Sequence, residues 1–127
     1  MNIYYAHHTW KYGTPIENYE IECIKNKFHD VNIINPRTYL PQDKSESEIL
    51  QAAYDTIRGC DAVVFSTVSG MVGCGVFNEI AVAINSGIAV YQLEGNDCYR
   101  IDDVSLKEII FHGDNRVYAL VHYPIEY

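Results

Sequence analysis

The chain has 127 residues, of which 48% are hydrophobic, and its formal net charge is −8. A chain of this size and apolar content can bury one hydrophobic core, so we expect a single domain over residues 1–127. The negative charge disfavours nucleic acids and anionic membranes as partners, which leaves a small molecule or another protein.

The cysteine pattern and the N-terminus favour a cytoplasmic protein. The four cysteines are far apart in the chain and form no Cys-x-x-Cys pair, so the sequence predicts free thiols and no metal site. The N-terminus does not resemble a signal peptide, and no apolar run approaches the roughly 18 residues of a membrane span. We expect neither a metal nor another cofactor.

The first half of the chain alternates between strand and helix patterns. Residues 2–6 are β-prone, and Thr14 and Glu17 have the spacing of a capping box that starts a helix ending near Phe28. The helix side expected to face the core carries Ile16, Tyr19, Cys23 and Ile24. A second strand is predicted over 31–35, before Pro36, with a loop over 37–44.

The second half continues this alternation. A second capping box at Ser45–Glu48 starts a helix that Gly59 ends, and residues 62–65 form an apolar strand suited to burial on both faces. A helix over 78–86 and a strand over 88–93 follow a glycine-rich loop. Beyond them we predict a short helix over 105–111 and a fifth strand over 116–122.

This alternation predicts an α/β fold with helices on both faces of a five-stranded, mainly parallel sheet. Its default strand order is the flavodoxin-like 2-1-3-4-5, in which a ligand crevice lies between the first and third strands. The loops over 6–14 and 66–75 would line that crevice.

The second of these loops is rich in glycine and runs into a helix that carries Glu79. Glycines allow close approach of a ligand, and the start of a helix offers unpaired N–H groups. The loop has no Walker lysine and no Gly-x-Gly-x-x-Gly, so a dinucleotide site is weakly supported, and tight turns are the alternative explanation of the glycines. Its candidate ligand contacts are Ser66, Ser69, Gly70, Gly73, Gly75 and Asn78.

The first loop contains imidazoles, a hydroxyl and aromatic rings, which suit a planar ring and a sugar. Its candidate ligand contacts are His7, His8, Thr9, Tyr12 and Gly13. The alternative is that one histidine only satisfies a neighbouring backbone group and that Trp10 covers the core.

Glu79 is the candidate catalytic residue. A carboxylate beside the crevice can attack an anomeric carbon or stabilise an oxocarbenium-like centre, although a solvated glutamate at a helix start would need no such role. Glu17 is the second choice, but its capping-box position accounts for it without catalysis.

Three segments resemble the nucleoside 2-deoxyribosyltransferases and the related 2′-deoxynucleoside 5′-phosphate N-hydrolases. They are Ile3–Ala6, Gly59–Phe65 and Gly75–Ala83, and the resemblance covers roughly residues 2–93. It implies that Glu79 attacks C1′ of a deoxyribosyl group, that the base leaves, and that another base or water takes the sugar. It also implies a homo-oligomer, dimeric or larger, in which a C-terminal segment such as 123–127 helps to complete a neighbouring site.

The chain departs from the transferases at two aspartates that handle the base. Gly73 stands at one of these positions, and the other falls near Ala53, with Asp55 an approximate substitute. The leading hypothesis is therefore an enzyme that cleaves or transfers the N-glycosidic bond of a nucleoside or nucleoside monophosphate. The alternatives are a non-catalytic protein that binds a nucleotide derivative and an oligomerising interaction module.

Overall fold

The computed structural model describes residues 1–101 and the strands over 106–111 and 115–120. Its strands are β1 (Asn2–Ala6), β2 (Asn32–Ile34), β3 (Ala62–Phe65), β4 (Met71–Gly73), β5 (Ala89–Glu94), β6 (Asp97–Ile101), β7 (Leu106–Phe111) and β8 (Asn115–Leu120). Its helices are α1 (Pro15–Lys27), α2 (Pro36–Tyr39), α3 (Glu46–Arg58) and α4 (Cys74–Asn85), with a 3-10 turn at Thr9–Lys11. The tail over 123–127 lies outside the described residues.

The predicted α/β class with a mostly parallel five-stranded sheet is confirmed. The observed strand order differs from the predicted one at the fifth position: the four strands predicted over 2–6, 31–35, 62–65 and 88–93 are neighbours as expected, but another segment takes the last place. In the described residues the sheet has the order β2-β1-β3-β5-β6, and β6 runs antiparallel to β5. Residues 97–101 fold back from β5 and occupy the edge that had been expected for 116–122. A parallel fifth strand would have needed a longer crossover connection.

The C-terminal segments form a second sheet instead, of order β4-β8-β7. The helix predicted over 105–111 is wrong, because residues 106–111 pair antiparallel with 115–120 as strands. The predicted strand over 116–122 exists as β8 over 115–120, and residues 121 and 122 lie outside the described part. Hairpin pairing has overridden a weak helical pattern here, as tertiary context often does.

Other boundaries shift for local reasons. Helix α4 begins at Cys74 rather than residue 78, and Pro36 starts the short helix α2 inside the expected loop, since proline suits a first helical position. The Ser45–Glu48 capping box is confirmed by hydrogen bonds in both directions.

Helix α1 is rotated relative to its predicted orientation. Ile16 and Tyr19 are 55% and 56% exposed, whereas Glu17 and Glu20 are buried beside Cys23. Burying carboxylates is costly unless cations and hydrogen bonds compensate them, so this face of α1 must meet polar partners.

The core lies on both faces of the central sheet. Along β1, Tyr4 and Ala6 pack with side chains of α3 and α4, while Ile3 and Tyr5 pack with side chains of α1. Alternate residues of a strand point to opposite faces, so two adjacent tyrosines enter two different environments.

Candidate active site

Glu79 lies in the second turn of α4, where its carboxylate accepts a hydrogen bond from the Tyr4 hydroxyl. Tyr4 is fully buried in β1, so its phenol approaches the helix from an interior strand of the sheet. Glu79 is only partly exposed. It lies beyond the first turn of α4, and the macrodipole of a helix stabilises a carboxylate mainly within that first turn. The interpretation as a solvated residue at a helix start therefore does not fit its surroundings.

The electrostatic surroundings of Glu79 favour the protonated form. Desolvation raises its pKa from 4.5 to about 7, against the opposing effect of the Tyr4 hydrogen bond. In the described part of the chain no ion pair reaches this carboxylate. The group therefore exchanges its proton near neutral pH, as a catalytic acid, base or nucleophile must.

Phenols surround this carboxylate. Burial, and then the charge of Glu79, raise the pKa of Tyr12 to about 12 and also raise the pKa of Tyr54. The pKa of Tyr4 is raised above its ordinary range by the same two causes. These side chains keep their protons at neutral pH and can act as hydrogen-bond donors.

His8 connects the two predicted ligand loops. Its Nδ1 accepts the backbone N–H of Trp10 at 3.0 Å, which places the proton of the neutral ring on Nε2. A Cβ at position 73 would lie 3.2 Å from His8 Cδ2 and 3.6 Å from Nε2, so the ring rests against Gly73 at the start of α4. Burial and the nearby Lys11 lower the pKa of His8 and keep the ring neutral.

His7 is placed very differently. It is 3% exposed and stacks on Tyr5 with a centroid separation of 3.8 Å. Its Nδ1 lies 3.0 Å from the Tyr5 carbonyl, and its Nε2 lies 2.8 Å from Glu17. Both ring nitrogens are thus engaged inside the protein, and the ring fixes the start of the first loop.

Glu17 caps α1 in only one direction. Its N–H donates to Thr14 Oγ1 at 3.3 Å, but the Thr14 N–H donates to the Lys11 carbonyl rather than to the Glu17 carboxylate. That carboxylate instead binds His7, Arg37 and the Gly13 N–H. Burial opposes its ionisation, but these hydrogen bonds outweigh it and lower the pKa of Glu17 to about 2.

A buried ionic cluster that sequence reasoning missed joins the first loop to α1 and to the segment that follows β3. Lys11 Nζ donates to Glu20 Oε2 at 2.9 Å, to Ser66 Oγ at 3.0 Å and to the Thr67 carbonyl at 2.9 Å. Glu20 also accepts hydrogen bonds from Ser66, at 2.8 Å, and from the Tyr5 hydroxyl. A lysine in a polar loop is ordinarily solvated, so nothing in the sequence distinguished Lys11.

The glycine loop divides into a hairpin turn and a helix start. Val68 and Met71 exchange backbone hydrogen bonds at 2.9 and 3.0 Å, and Ser69 and Gly70 between them have φ of 53° and 75°. Positive φ at both central residues defines a type I′ turn, which accounts for Gly70 without a ligand. At the helix start, a Cβ at Gly75 would meet nothing within 4 Å.

Three further predicted contacts lie around these loops. Thr9 is exposed at the start of the 3-10 turn, and Gly13 has φ of 71° at the end of the first loop. Asn78 Nδ2 lies 3.7 Å from Cys74 Sγ within α4. Of the predicted site residues, His8, Gly73, Tyr12 and Glu79 lie around one end of α4 and β1.

Comparisons with protein-family models, curated proteins and solved structures find no match. Among the described residues, no group of three His, Cys, Asp or Glu side chains is arranged to hold a metal ion. In the same residues, no helix has the length and apolar character needed to cross a membrane.

Proposed function

We propose that the protein cleaves or transfers the N-glycosidic bond of a nucleoside or nucleoside monophosphate, with Glu79 as the nucleophile. The observation that supports this most is the state of the Glu79 carboxyl group. It accepts a hydrogen bond from Tyr4, it forms no ion pair with the described residues, and burial raises its pKa to about 7. Partial desolvation without a neutralising cation makes a carboxylate a better nucleophile.

In the proposed reaction, an ionised Glu79 oxygen forms a bond to C1′ of the sugar. The bond from C1′ to the base nitrogen breaks, its electron pair leaves with the base, and the base takes up a proton from solvent. Water or a second base then attacks C1′ and gives up a proton to solvent, while the bond from C1′ to the Glu79 oxygen breaks and restores the carboxylate, which completes hydrolysis or transfer. The Tyr4 hydrogen bond holds the attacking group in one orientation during the first step.

His8, Tyr12 and the start of α4 are the proposed contacts of the sugar and base. The His8 ring lies against Gly73, and the Tyr12 phenol lies near Glu79. The fold is proposed to be flavodoxin-like and related to the nucleoside 2-deoxyribosyltransferases, and the protein to be a cytoplasmic homo-oligomer. The resemblance of the segments around β1, β3 and α4 supports this proposal.

The test is an assay of base release from ribo- and deoxynucleosides and their monophosphates, with and without a second free base. Wild-type protein is compared with Glu79→Gln, which keeps the size and hydrogen-bonding capacity of the side chain. We expect release that depends on Glu79, and products from the second base would distinguish transfer from hydrolysis. Release that is equal in the two proteins would refute the assignment.

A non-catalytic protein that binds a nucleotide derivative is the second candidate. It is favoured by the absence of a partner acid at the expected positions: Gly73 has no side chain, Ala53 is buried in the core, and Asp55 binds Arg58 on the exposed side of α3. The carboxylates of Glu17 and Glu20 are both paired with cationic side chains. This candidate predicts nucleotide binding without products, and loss of affinity on His8→Ala but not on Glu79→Gln.

A further inference from the structure

The buried His7 ring lies between two hydrogen-bond acceptors. Its Nδ1 is 3.0 Å from the Tyr5 carbonyl oxygen, and its Nε2 is 2.8 Å from Glu17 Oε2. A carbonyl oxygen and an ionised carboxylate can only accept hydrogen bonds, whereas a neutral imidazole has one N–H and one bare nitrogen. Both contacts are therefore hydrogen bonds only when the ring has a proton on each nitrogen.

Glu17 does not supply the proton for its contact with His7. Its other oxygen, Oε1, accepts hydrogen bonds from Arg37 Nε at 2.9 Å and from the Gly13 N–H at 3.3 Å. Burial opposes ionisation, but the hydrogen bonds from Arg37, His7 and Gly13 lower the pKa of Glu17 to about 2. Among the residues that the structure describes, His7 is the one donor to Oε2, so an ionised Glu17 needs the Nε2–H.

Two tyrosine rings enclose the His7 side chain. Tyr5 is stacked on it at a centroid separation of 3.8 Å, and Tyr12 lies at 4.9 Å with a tilt of 52°. The face of a tyrosine ring attracts a cation, and burial raises the pKa of both phenols, to about 12 in Tyr12. The adjacent His8 has a pKa lowered by burial and then by Lys11. These neighbours accommodate a charged His7 ring and add no charge of their own at neutral pH.

The charged groups near the ring act in opposite directions. Glu17 favours a protonated His7, whereas Arg37, which binds the same carboxylate, and the burial of the ring oppose it. Lys11 is compensated by its own ion pair with Glu20. Arg37 and the protonated ring therefore compete for one carboxylate, and the second proton of His7 depends on pH.

We propose that His7 is a proton-dependent latch for the first loop, closed when both ring nitrogens carry a proton and open when one proton is lost to solvent. In the closed state the ring joins the end of β1 to α1, and the loop that follows it places His8 against Gly73. In the open state a bare nitrogen faces an oxygen lone pair, so one hydrogen bond is replaced by repulsion and the loop is released. This inference does not depend on the proposed function.

The first test is an NMR titration of the wild-type protein with isotopically labelled histidine rings, assigned through the backbone, from pH 5 to 9. We expect His7 to have an N–H on both nitrogens at pH 5 and on one nitrogen at the high end. Over the same interval the Gly13 N–H, which shares Glu17 with the ring, should exchange with water at least about fivefold faster than its intrinsic pH dependence predicts. The Ile88 N–H, which donates to Ala83 at the end of α4, is the control and should show no such excess.

The second test is urea denaturation of wild type and His7→Gln across the same pH range. Glutamine donates from a single nitrogen, so it cannot replace the two N–H groups of the closed ring. An ordinary histidine loses its proton near pH ~6.5, so above that pH the unfolded chain releases a proton that the closed latch retains. The stabilisation that His7 provides over Gln should therefore fall about tenfold in the folding equilibrium constant between pH 6 and 8.

His8→Gln is the matched control for this comparison. The folded pKa of His8 is lowered, chiefly by burial, so its contribution to stability is lost as pH falls rather than as pH rises. The two adjacent histidines should thus give pH dependences of opposite sign, which a general effect of pH on the fold cannot produce.

The NMR titration needs no variant, so it decides the inference even if His7→Gln fails to fold. The inference would be overturned by a His7 ring with one N–H throughout the range, by a ring that keeps both protons up to pH 9, or by proton loss without faster exchange at Gly13. A stabilisation over His7→Gln that does not decline with pH would overturn it as well. None of these measurements involves turnover, so absence of base release would reject the proposed function and leave the latch unaffected.

Discussion

Two tyrosine–glutamate pairs on opposite faces of β1 have similar chemistry and different surroundings. On one face the Tyr5 hydroxyl donates to Glu20, which also binds Lys11 and Ser66. On the other face the Tyr4 hydroxyl donates to Glu79, for which no cation is found among the described residues. The first carboxylate is paired with a cation and accepts three hydrogen bonds, whereas the second accepts only the Tyr4 hydrogen bond in the described contacts and retains capacity for a ligand and a proton.

This difference separates a structural carboxylate from a candidate catalytic one. A buried ion pair with three hydrogen bonds on its cation holds two loops together but has little freedom to react. A desolvated carboxyl group without a cation costs stability at neutral pH, and folds accept such costs mainly at functional sites. Substitutions in the two pairs should therefore act on different properties.

The largest expected effect is on turnover. Glu79→Gln should lower base release at least about a thousandfold, because the amide cannot attack C1′, while the circular dichroism spectrum stays that of the wild type. The matched variant Glu20→Gln should retain most activity per folded molecule. Comparable losses in the two variants would contradict the assignment of Glu79 as the nucleophile.

Second in size is the effect of breaking the ionic cluster. Lys11→Met leaves the Glu20 carboxylate buried without its cation, so we expect the free energy of unfolding at pH 7 to fall by about 4 kcal/mol. Urea denaturation measures this change. In Lys11→Met/Glu20→Gln the carboxylate is absent, so part of the loss should be recovered, and a double variant no more stable than the single one would argue against the ion pair as the cause.

The two pairs also show how far the sequence could predict this molecule. The alternation of strands and helices indicated the α/β class, and the loop before α4 indicated Glu79. The sequence could not indicate that α1 buries Glu17 and Glu20, because acidic side chains are normally exposed and because their partners Arg37 and Lys11 come from other segments. Tyr4 looked like an ordinary strand residue, since its role depends on which face of β1 meets α4.

The same limit explains the errors at the C-terminal end. The edge position of β6 and the pairing of 106–111 with 115–120 are decided by contacts between segments. Local periodicity contains no information about such contacts. The helix predicted over 105–111 therefore reflects the intrinsic preference of the segment, whereas pairing with 115–120 determines its structure.

A third, smaller effect is the pH dependence of stability. The folded pKa of Glu79, about 7, exceeds its ordinary value of 4.5, so between these pH values the unfolded chain loses a proton that the folded protein keeps. Relative to Glu79→Gln, the wild type should accordingly lose stability as pH rises from 5 to 8, because the contribution of the lowered His8 pKa is common to both proteins. At pH 8 we expect the variant to be the more stable by on the order of 2 kcal/mol, after allowing for partial solvent access.

Urea denaturation of both proteins across pH 5–8 measures this difference. Glu17 does not interfere, because its lowered pKa of about 2 confines its own contribution to lower pH: that stabilisation is present above about 4.5 and is lost as pH falls toward 2. A constant difference between wild type and Glu79→Gln across this range would show that Glu79 titrates normally in the folded protein.

The smallest expected effect is a shift in the pH dependence of kcat/KM, which should occur when Tyr4 is replaced but not when Tyr5 is replaced. The Tyr4 hydrogen bond favours the ionised form of Glu79, so its removal in Tyr4→Phe should raise the pKa of Glu79 further and move the rise of kcat/KM to higher pH by about half a unit to one unit. Tyr5→Phe removes an equivalent hydroxyl from Glu20 on the other face and should leave the profile in place. Each variant deletes one buried hydroxyl, so a loss of stability common to both cannot produce a difference between their pH profiles. An equal shift of the profile in both variants would mean that the two tyrosine–glutamate pairs are not electrostatically distinct.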